Sequence, residues 1–267
     1  MDRKIIFFDI DGTIITEDTN IIPKSTIKAI KEARKNGHLA FINTGRTYSN
    51  IENSIKEVGF DGYVCGCGTY IKAGEQVLFT KTLDKKTCQD IVKILRECKI
   101  DAVLEGLEDV YFDGDNIKSE EILKLKHTLE KKGLGITKNW DSEDLQYDKF
   151  FAIANQNSNL KEFKAFLKKD FDCIDRENNR WEVVPKGCSK ATGIEFLLNY
   201  YNIALENSYA IGDSSNDLSM LEYVQNGIAM ENCDQCISDI ASFITKDIKE
   251  DGILHALKHY RIIPINA

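Results

Sequence analysis

A chain of 267 residues, 42% hydrophobic and 29% charged, has a globular composition and can bury one sizeable core or two modest ones, while 3 Pro against 17 Gly exclude a proline-rich stalk or collagen-like segment. Lys and Arg number 35 against 43 Asp and Glu, a net charge of −8 and a pI near 5.2, the wrong sign for gripping a phosphate backbone, so no nucleic-acid partner is expected. No apolar run approaches the roughly 20 residues of a membrane span, and Asp9 cuts the first apolar run far short of a secretory signal, so a cytoplasmic protein without a membrane partner is expected.

From the N-terminus, Ile5 to Phe8 reads as a buried strand, followed by a turn at Gly12 and a helix opened by Pro23 that carries Ile27, Ile30 and Ala33 and ends at Gly37. His38 to Ile42 reads as a second strand, Thr47 to Val58 as a helix with Ile51, Ile55 and Val58 on one face, and Tyr63 to Cys65 as a third strand. This βαβαβ order builds a parallel sheet with right-handed crossovers. Its strands are apolar runs rather than alternations, as strands buried on both faces should be.

After a hairpin around Ala73-Gly74-Glu75 the pattern changes. Helices at Thr87 to Cys98, Ile117 to Lys132 and Leu160 to Lys169 mix with strands at Ala102 to Glu105, Val110 to Phe112, Lys149 to Ala154, Phe171 to Ile174 and Trp181 to Val184. A helix from Ser189 to Tyr201 and a strand at Tyr209 to Ile211 then restore βα alternation. The expected architecture is α/β: a Rossmann-like parallel-sheet core of residues 1–83 and 185–267, interrupted by an inserted α+β domain of residues 84–184.

Two strand ends carry acid. Asp9-Ile10-Asp11-Gly12-Thr13 closes the first strand, and Gly212-Asp213-Ser214-Ser215-Asn216-Asp217 closes the strand at Tyr209 to Ile211. Such segments also occur as plain Asp-rich turns that satisfy local amides. If both strands share a sheet, however, Asp9, Asp11, Asp213 and Asp217 meet at its carboxyl end, where such sheets bind ligands. Mutual repulsion would raise their pKa values and calls for a counter-charge, and all-oxygen ligation favours Mg²⁺. Asn43-Thr44-Gly45-Arg46 offers a hydroxyl, backbone amides and a guanidinium suited to phosphate oxygens, though Thr at a helix start is also an ordinary N-cap. Lys190 stands in a first helical turn, where the macrodipole disfavours a cation unless an anion offsets it.

These segments, with Lys190 inside Pro185-Lys186-Gly187-Cys188-Ser189-Lys190, resemble in order the four motifs of the haloacid dehalogenase superfamily. The inserted domain, with Met220-Leu221 and Ile228-Ala229-Met230-Glu231-Asn232, is similar to its Cof-type hydrolases. The resemblance implies a phosphatase for a small phosphorylated metabolite, a sugar or cofactor phosphate. Asp9 would be the nucleophile and Asp11 the acid and base, with Thr44 and Lys190 on the phosphoryl oxygens. Gly45, Arg46, Asn216 and Asn232 would bind substrate. Asp9, Asp11 and Asp213 would hold Mg²⁺, with Asn216 and Asp217 orienting the ligands. Cys67-Gly68-Thr69 stands where many Cof-type chains have Asn-Gly-Ala, and Glu231 where Gly is common, which leaves the substrate open.

A sugar phosphomutase of the same superfamily and a non-catalytic phospho-acceptor are alternatives, and a monomer or homodimer fits either. The inserted domain carries only Arg96, Arg176 and Arg180 for a second phosphate, and receiver-type acceptors are single domains of about half this length. Cys65/Cys67 and Cys233/Cys236 read as packed thiols rather than a zinc site, and His255/His259 as surface residues. Glu105 to Asp109 and Asn178 to Glu182 are the candidates for contacting a leaving group, while packing of the inserted domain and hairpin turns is the favoured reading of each single residue.

Overall fold

A computed structural model describes residues 2–16, 18–133 and 138–265. The chain forms two compact units, one made of Met1–Gly45, Glu52–Leu78 and Ser189–Ala267, the other of Arg46–Ile51 and Phe79–Cys188.

In chain order the elements are β1 (Ile5–Phe8), α1 (Lys24–Lys35), β2 (Leu39–Asn43), α2 (Asn53–Lys56), β3 (Gly62–Cys65), β4 (Tyr70–Ala73), β5 (Gln76–Thr80), α3 (Lys85–Glu97), β6 (Ile100–Glu105), β7 (Val110–Tyr111), α4 (Glu120–Lys132), β8 (Lys149–Ala154), α5 (Leu160–Leu167), β9 (Phe171–Asp175) and β10 (Arg180–Pro185). The last third adds α6 (Lys190–Tyr201), β11 (Ser208–Gly212), α7 (Leu218–Tyr223), β12 (Asn226–Ala229), α8 (Gln235–Ser238), β13 (Phe243–Ile244) and α9 (Gly252–His259).

The large sheet runs β13-β12-β11-β1-β2-β3-β4-β5. Its strands are parallel from β13 to β3, and β4 turns back antiparallel on β3. β1 lies in the middle, and all four of its side chains are wholly buried, as a strand covered on both faces requires. Successive strands step one way from β1 to β2 and the chain later returns to the other side at β11, so the order reverses at β1. That reversal opens a crevice at the carboxyl ends of β1 and β11. The Rossmann-like α/β core is thus as the sequence implied. Helix α1 buries Thr26, Ala29, Ile30 and Ala33, a stripe at helical spacing. Helix α6 begins in a reciprocal cap, with the Ser189 hydroxyl accepting from Thr192 N and the Thr192 hydroxyl accepting from Ser189 N.

The second unit holds an antiparallel sheet of order β7-β6-β8-β10-β9. One face carries Ala102, Leu104, Phe150, Ala152, Trp181 and Val183, packed with α3 and α5 into an apolar core. On the other face Val103 packs with Ile122 and Leu129 of α4.

Two expectations need correction. Thr47 to Val58 is not one helix: a short 3₁₀ turn at Tyr48–Asn50 and the four-residue α2 are separated by Ile51 and Glu52 in extended backbone. Ser49 Oγ donates to Gly106 O (3.2 Å) and Asn50 Nδ2 to Glu105 Oε1 (3.4 Å), so tertiary hydrogen bonds override a weak helical pattern. His255 is not a plain surface residue, because its ring is half-buried against Phe243 and its Nδ1 lies 3.0 Å from Thr245 Oγ1. His259 is exposed and stacks on Phe243. Among the described residues no helix is long and apolar enough to cross a membrane.

Candidate active site

The β1–β11 ladder continues one residue past β1, with Asp9 N donating to Ile211 O (3.0 Å). This pairing brings the acids that follow the two strands together. Asp9, Asp213 and Asp217 each present a carboxylate oxygen within 4.8 Å of the others. The Lys190 ammonium donates to Asp9 Oδ1 (2.7 Å) and Asp217 Oδ1 (2.5 Å), and its side chain is 1% exposed. Asp217 also accepts from Asp213 N (3.0 Å) and Ser214 N (3.2 Å) through Oδ2, so it braces the loop after β11 and anchors the lysine at once. Asp213 is fixed by Thr13 Oγ1 (2.8 Å). Gly12, between those acids, has φ +74°, and a Cβ there would lie 2.4 Å from Asp213 Oδ2. Only glycine permits this approach.

Burial dominates the electrostatics. It pushes the Asp9 carboxyl up to about 7, with Asp217 adding to the rise and Lys190 opposing it. Burial likewise lifts Asp213 to about 8, helped by Asp9 and Asp217. Desolvation alone would lower Lys190, but the Asp217 and Asp9 carboxylates outweigh it and hold the ammonium firmly charged. Three carboxylates against one ammonium leave negative charge uncompensated. With only hard oxygen donors in the cluster, the arrangement suits a hard divalent cation.

The other expected residues are placed unevenly. The Asp11 carboxyl is exposed and outside the three-acid cluster, yet near enough to raise Asp9. Thr44 is buried at the end of β2, its N bonded to Val64 O (2.9 Å) and its O accepting from Cys67 N (3.1 Å). Gly45 ends the first of the three segments of the first unit, and Arg46 belongs to the second unit, where its guanidinium donates to Asn50 O (3.3 Å). Asn216 Oδ1 accepts from Ser214 Oγ (2.8 Å). Asn232 is exposed, and its amide donates to Asp247 on the wall of a cavity of about 260 Å³ that Gly12 and Asp213 also line. All eight cysteines are free thiols; Cys65 and Cys67 are packed as expected, with burial pushing the Cys65 thiol up, away from reactivity, whereas Cys233 is half-buried and Cys236 exposed, so the second pair is not packed.

Three supports were not picked out from sequence. Asn43 Nδ2 donates to Lys190 O (3.0 Å), clamping the turn that carries the lysine. Thr13, which follows the Asp-x-Asp turn in the first motif, orients Asp213. Asp234 N donates to Asp213 O (2.8 Å) while its carboxylate accepts from Ser215 N (2.7 Å). Thr13 could have been found, since a hydroxyl two residues past an Asp-x-Asp turn is a natural partner for a neighbouring carboxylate. Asn43 and Asp234 carry no such signal.

A family profile described as haloacid dehalogenase-like hydrolase matches residues 6–257. YkrA of Bacillus subtilis (strain 168), which bears the name of a phosphatase, is 33% identical over 98% of this chain and 100% of its own. The 5-amino-6-(5-phospho-D-ribitylamino)uracil phosphatase YitU of the same organism is 26% identical over 96% of this chain and 97% of its own. Among solved structures, the subclass IIB sugar phosphatase BT4131 is 26% identical and superposes with a TM-score of 0.80 over 97% of this chain and 100% of its own.

Proposed function

Because the chain belongs to the haloacid dehalogenase-like hydrolases and is a phosphatase of that superfamily, we propose that Asp9 hydrolyses a small phosphomonoester through an aspartyl-phosphate intermediate. The observation that carries this reading is the Lys190 ammonium bridging Asp9 and Asp217 beside Asp213 at the carboxyl ends of β1 and β11.

An Asp9 oxygen attacks phosphorus, and the bond from phosphorus to the leaving oxygen breaks as Asp11 gives that oxygen a proton. Asp11 then takes a proton from water, whose oxygen attacks the aspartyl phosphate and releases phosphate and the Asp9 carboxylate. Exposure of Asp11 suits a group that exchanges protons with solvent between the two steps. Lys190 opposes the effect of burial on Asp9, favouring the ionised nucleophile, and together with Thr44 it binds the phosphoryl oxygens. Phosphoryl transfer depends on such positioning and charge neutralisation more than on covalent chemistry. Asp9, Asp213 and the Asp11 main-chain oxygen would hold Mg²⁺, with Asn216 and Asp217 orienting those ligands. When bound, the cation would neutralise the excess carboxylate charge and polarise the phosphoryl group.

We assign the chemistry to the first unit and leaving-group recognition to the second, the inserted cap. YitU and BT4131 are named for a ribitylamino-uracil phosphate and for sugar phosphates, which supports a small phosphorylated metabolite here. The test is phosphate release from p-nitrophenyl phosphate and from a panel of sugar, nucleotide and cofactor phosphates, with and without Mg²⁺, by wild type and Asp9→Asn. Mg²⁺-dependent release that the substitution abolishes supports the reading, and release that Asp9→Asn retains removes Asp9 as nucleophile.

A further inference from the structure

Within the second unit, at the end of the sheet where β6 begins and β8 ends, lies a cavity of about 530 Å³, a volume typical of small-molecule sites. Buried Leu95 and Ile100 give it an apolar lining, and Arg96, Lys99 and Lys118 line it with positive charge. Glu105, which closes β6 at its far end, takes no part in it.

The two acids in the lining are already engaged. Asp113 accepts from Arg96 Nε (3.1 Å) and, with Asp141, fixes the guanidinium over the Trp140 ring (5.7 Å). Asp101 accepts from Lys118 N (2.9 Å) and from Ser119 N, at the start of α4. Lys99 and Lys118 have no carboxylate partner among the described residues. The lining therefore carries a cationic surplus, three bases against two acids, in a chain of net charge −8.

Lys99 is also held in place at a cost. It stands just past α3 with φ +54°, a left-handed position where glycine is the usual residue because a Cβ is strained there. Ser158 Oγ donates to Lys99 O (2.7 Å) and accepts from Asn155 N (2.9 Å), while Asn157 N donates to Asn155 Oδ1 (2.8 Å), so the turn after β8 is tied to the turn that bears the lysine. Glycine would serve the backbone better, and what lysine adds is an ammonium on the cavity. Asn116 and Asn157 also line it, and among the described residues their side-chain amides are unengaged.

These groups define a ligand. Two unpaired ammonium groups suit one phosphate. Free asparagine amides suit the edge of a hydrogen-bonding ring, as in the pairing of Asn with adenine. An apolar lining beside a fixed guanidinium suits a flat ring, on which such a group stacks. A bare phosphate would leave the amides and the apolar lining unused. We propose that this cavity is a binding site for a nucleoside monophosphate, with Lys99 and Lys118 on the phosphate and Asn116 and Asn157 on the base. The site goes beyond the phosphatase reading and needs no group of the first unit.

The probe is the non-hydrolysable phosphonate analogue of AMP, without divalent cation, its Kd measured by calorimetry and ligand-observed NMR on the full chain. Wild type should bind it about tenfold or more tightly than inorganic phosphate or adenosine. Lys99→Gln and Lys118→Gln should each raise Kd about tenfold, the lower end for hydrogen bonds to a charged group. Asp9→Asn should leave Kd unchanged, which separates this site from the crevice at β1 and β11. Lys99→Gly should lose the same affinity with no fall in Tm, because glycine relieves the strain. If no phosphomonoester is hydrolysed but these binding results hold, the catalytic reading fails and this assignment stands. No binding by wild type, phosphate bound as tightly as the analogue, a Kd that neither lysine substitution moves, or affinity lost only where Tm falls with it would overturn it.

Discussion

Lys190 and Asp9 are 181 positions apart in the chain and 2.7 Å apart in space. The lysine is the cation that lets three acids share a buried crevice. Lys190→Met should therefore lose about 10²–10³ in kcat, the usual cost of removing a preorganised charge. Without the ammonium, the Asp9 carboxyl moves further up, so the acid limb of any residual activity should shift to higher pH. A pH–rate profile with p-nitrophenyl phosphate checks both; unchanged limbs would separate Lys190 from the ionisation of Asp9.

Stability should depend on pH with a definite sign. Asp9 at about 7 and Asp213 at about 8 both lie above the unfolded carboxyl value near 3.9. Between those values the folded chain keeps protons that the unfolded chain has released, so these two groups make stability fall as pH rises from roughly 4 to 8. A divalent cation binds the ionised form and should reverse the trend. Melting curves with and without Mg²⁺ should show a larger rise in Tm at pH 8 than at pH 5, and an equal rise at both would contradict the linkage.

Gly12→Ala should cost far more than Gly74→Ala. Both positions have positive φ, +74° and +53°, so both carry backbone strain of about 1 kcal/mol. At Gly74 nothing lies within 4 Å of the added methyl, whereas at Gly12 it meets Asp213. The expected outcome is near-normal Mg²⁺-dependent stabilisation in Gly74→Ala and its loss in Gly12→Ala, read by thermal melts with the cation titrated in.

Asp217→Asn keeps the shape of the side chain but gives it an NH₂. That group must face either the Lys190 ammonium or the amides of Asp213 and Ser214, all donors. One buried bond is lost if the NH₂ faces the lysine and two if it faces the amides, so a destabilisation of about 1–3 kcal/mol is expected in urea melts, together with a fall in kcat.

Much of this was readable in advance because the chemistry sits where periodicity breaks. Ile5 to Phe8 and Tyr209 to Ile211 read as buried strands, and the acids that end them had to share one crevice if the strands were neighbours. The unfavourable place of Lys190 in a first turn predicted an anion nearby, and Asp9 and Asp217 fill that role. Glu105 and Glu182 stand in the two stretches that the sequence offers as leaving-group contacts, but Lys149 carries no such signal, since it simply opens the strand at Lys149 to Ala154. Only the antiparallel register puts it between the two acids. The helix expected at Thr47 to Val58 failed for the same reason: Ser49 and Asn50 take partners more than fifty residues away, and no local pattern encodes them.

The pairing of β1 with β11 also has a consequence for biosynthesis. Ile5 waits for Ser208, and Phe8 for Ile211, so the edge of the first strand has no native partner on that side until roughly 200 further residues have left the ribosome. At translation rates of about 5–20 residues per second that interval is about 10–40 s. During it a strand of four apolar residues, with Asp9 directly after it, stands half-paired, and it is the segment on which a nascent-chain chaperone would be expected to act.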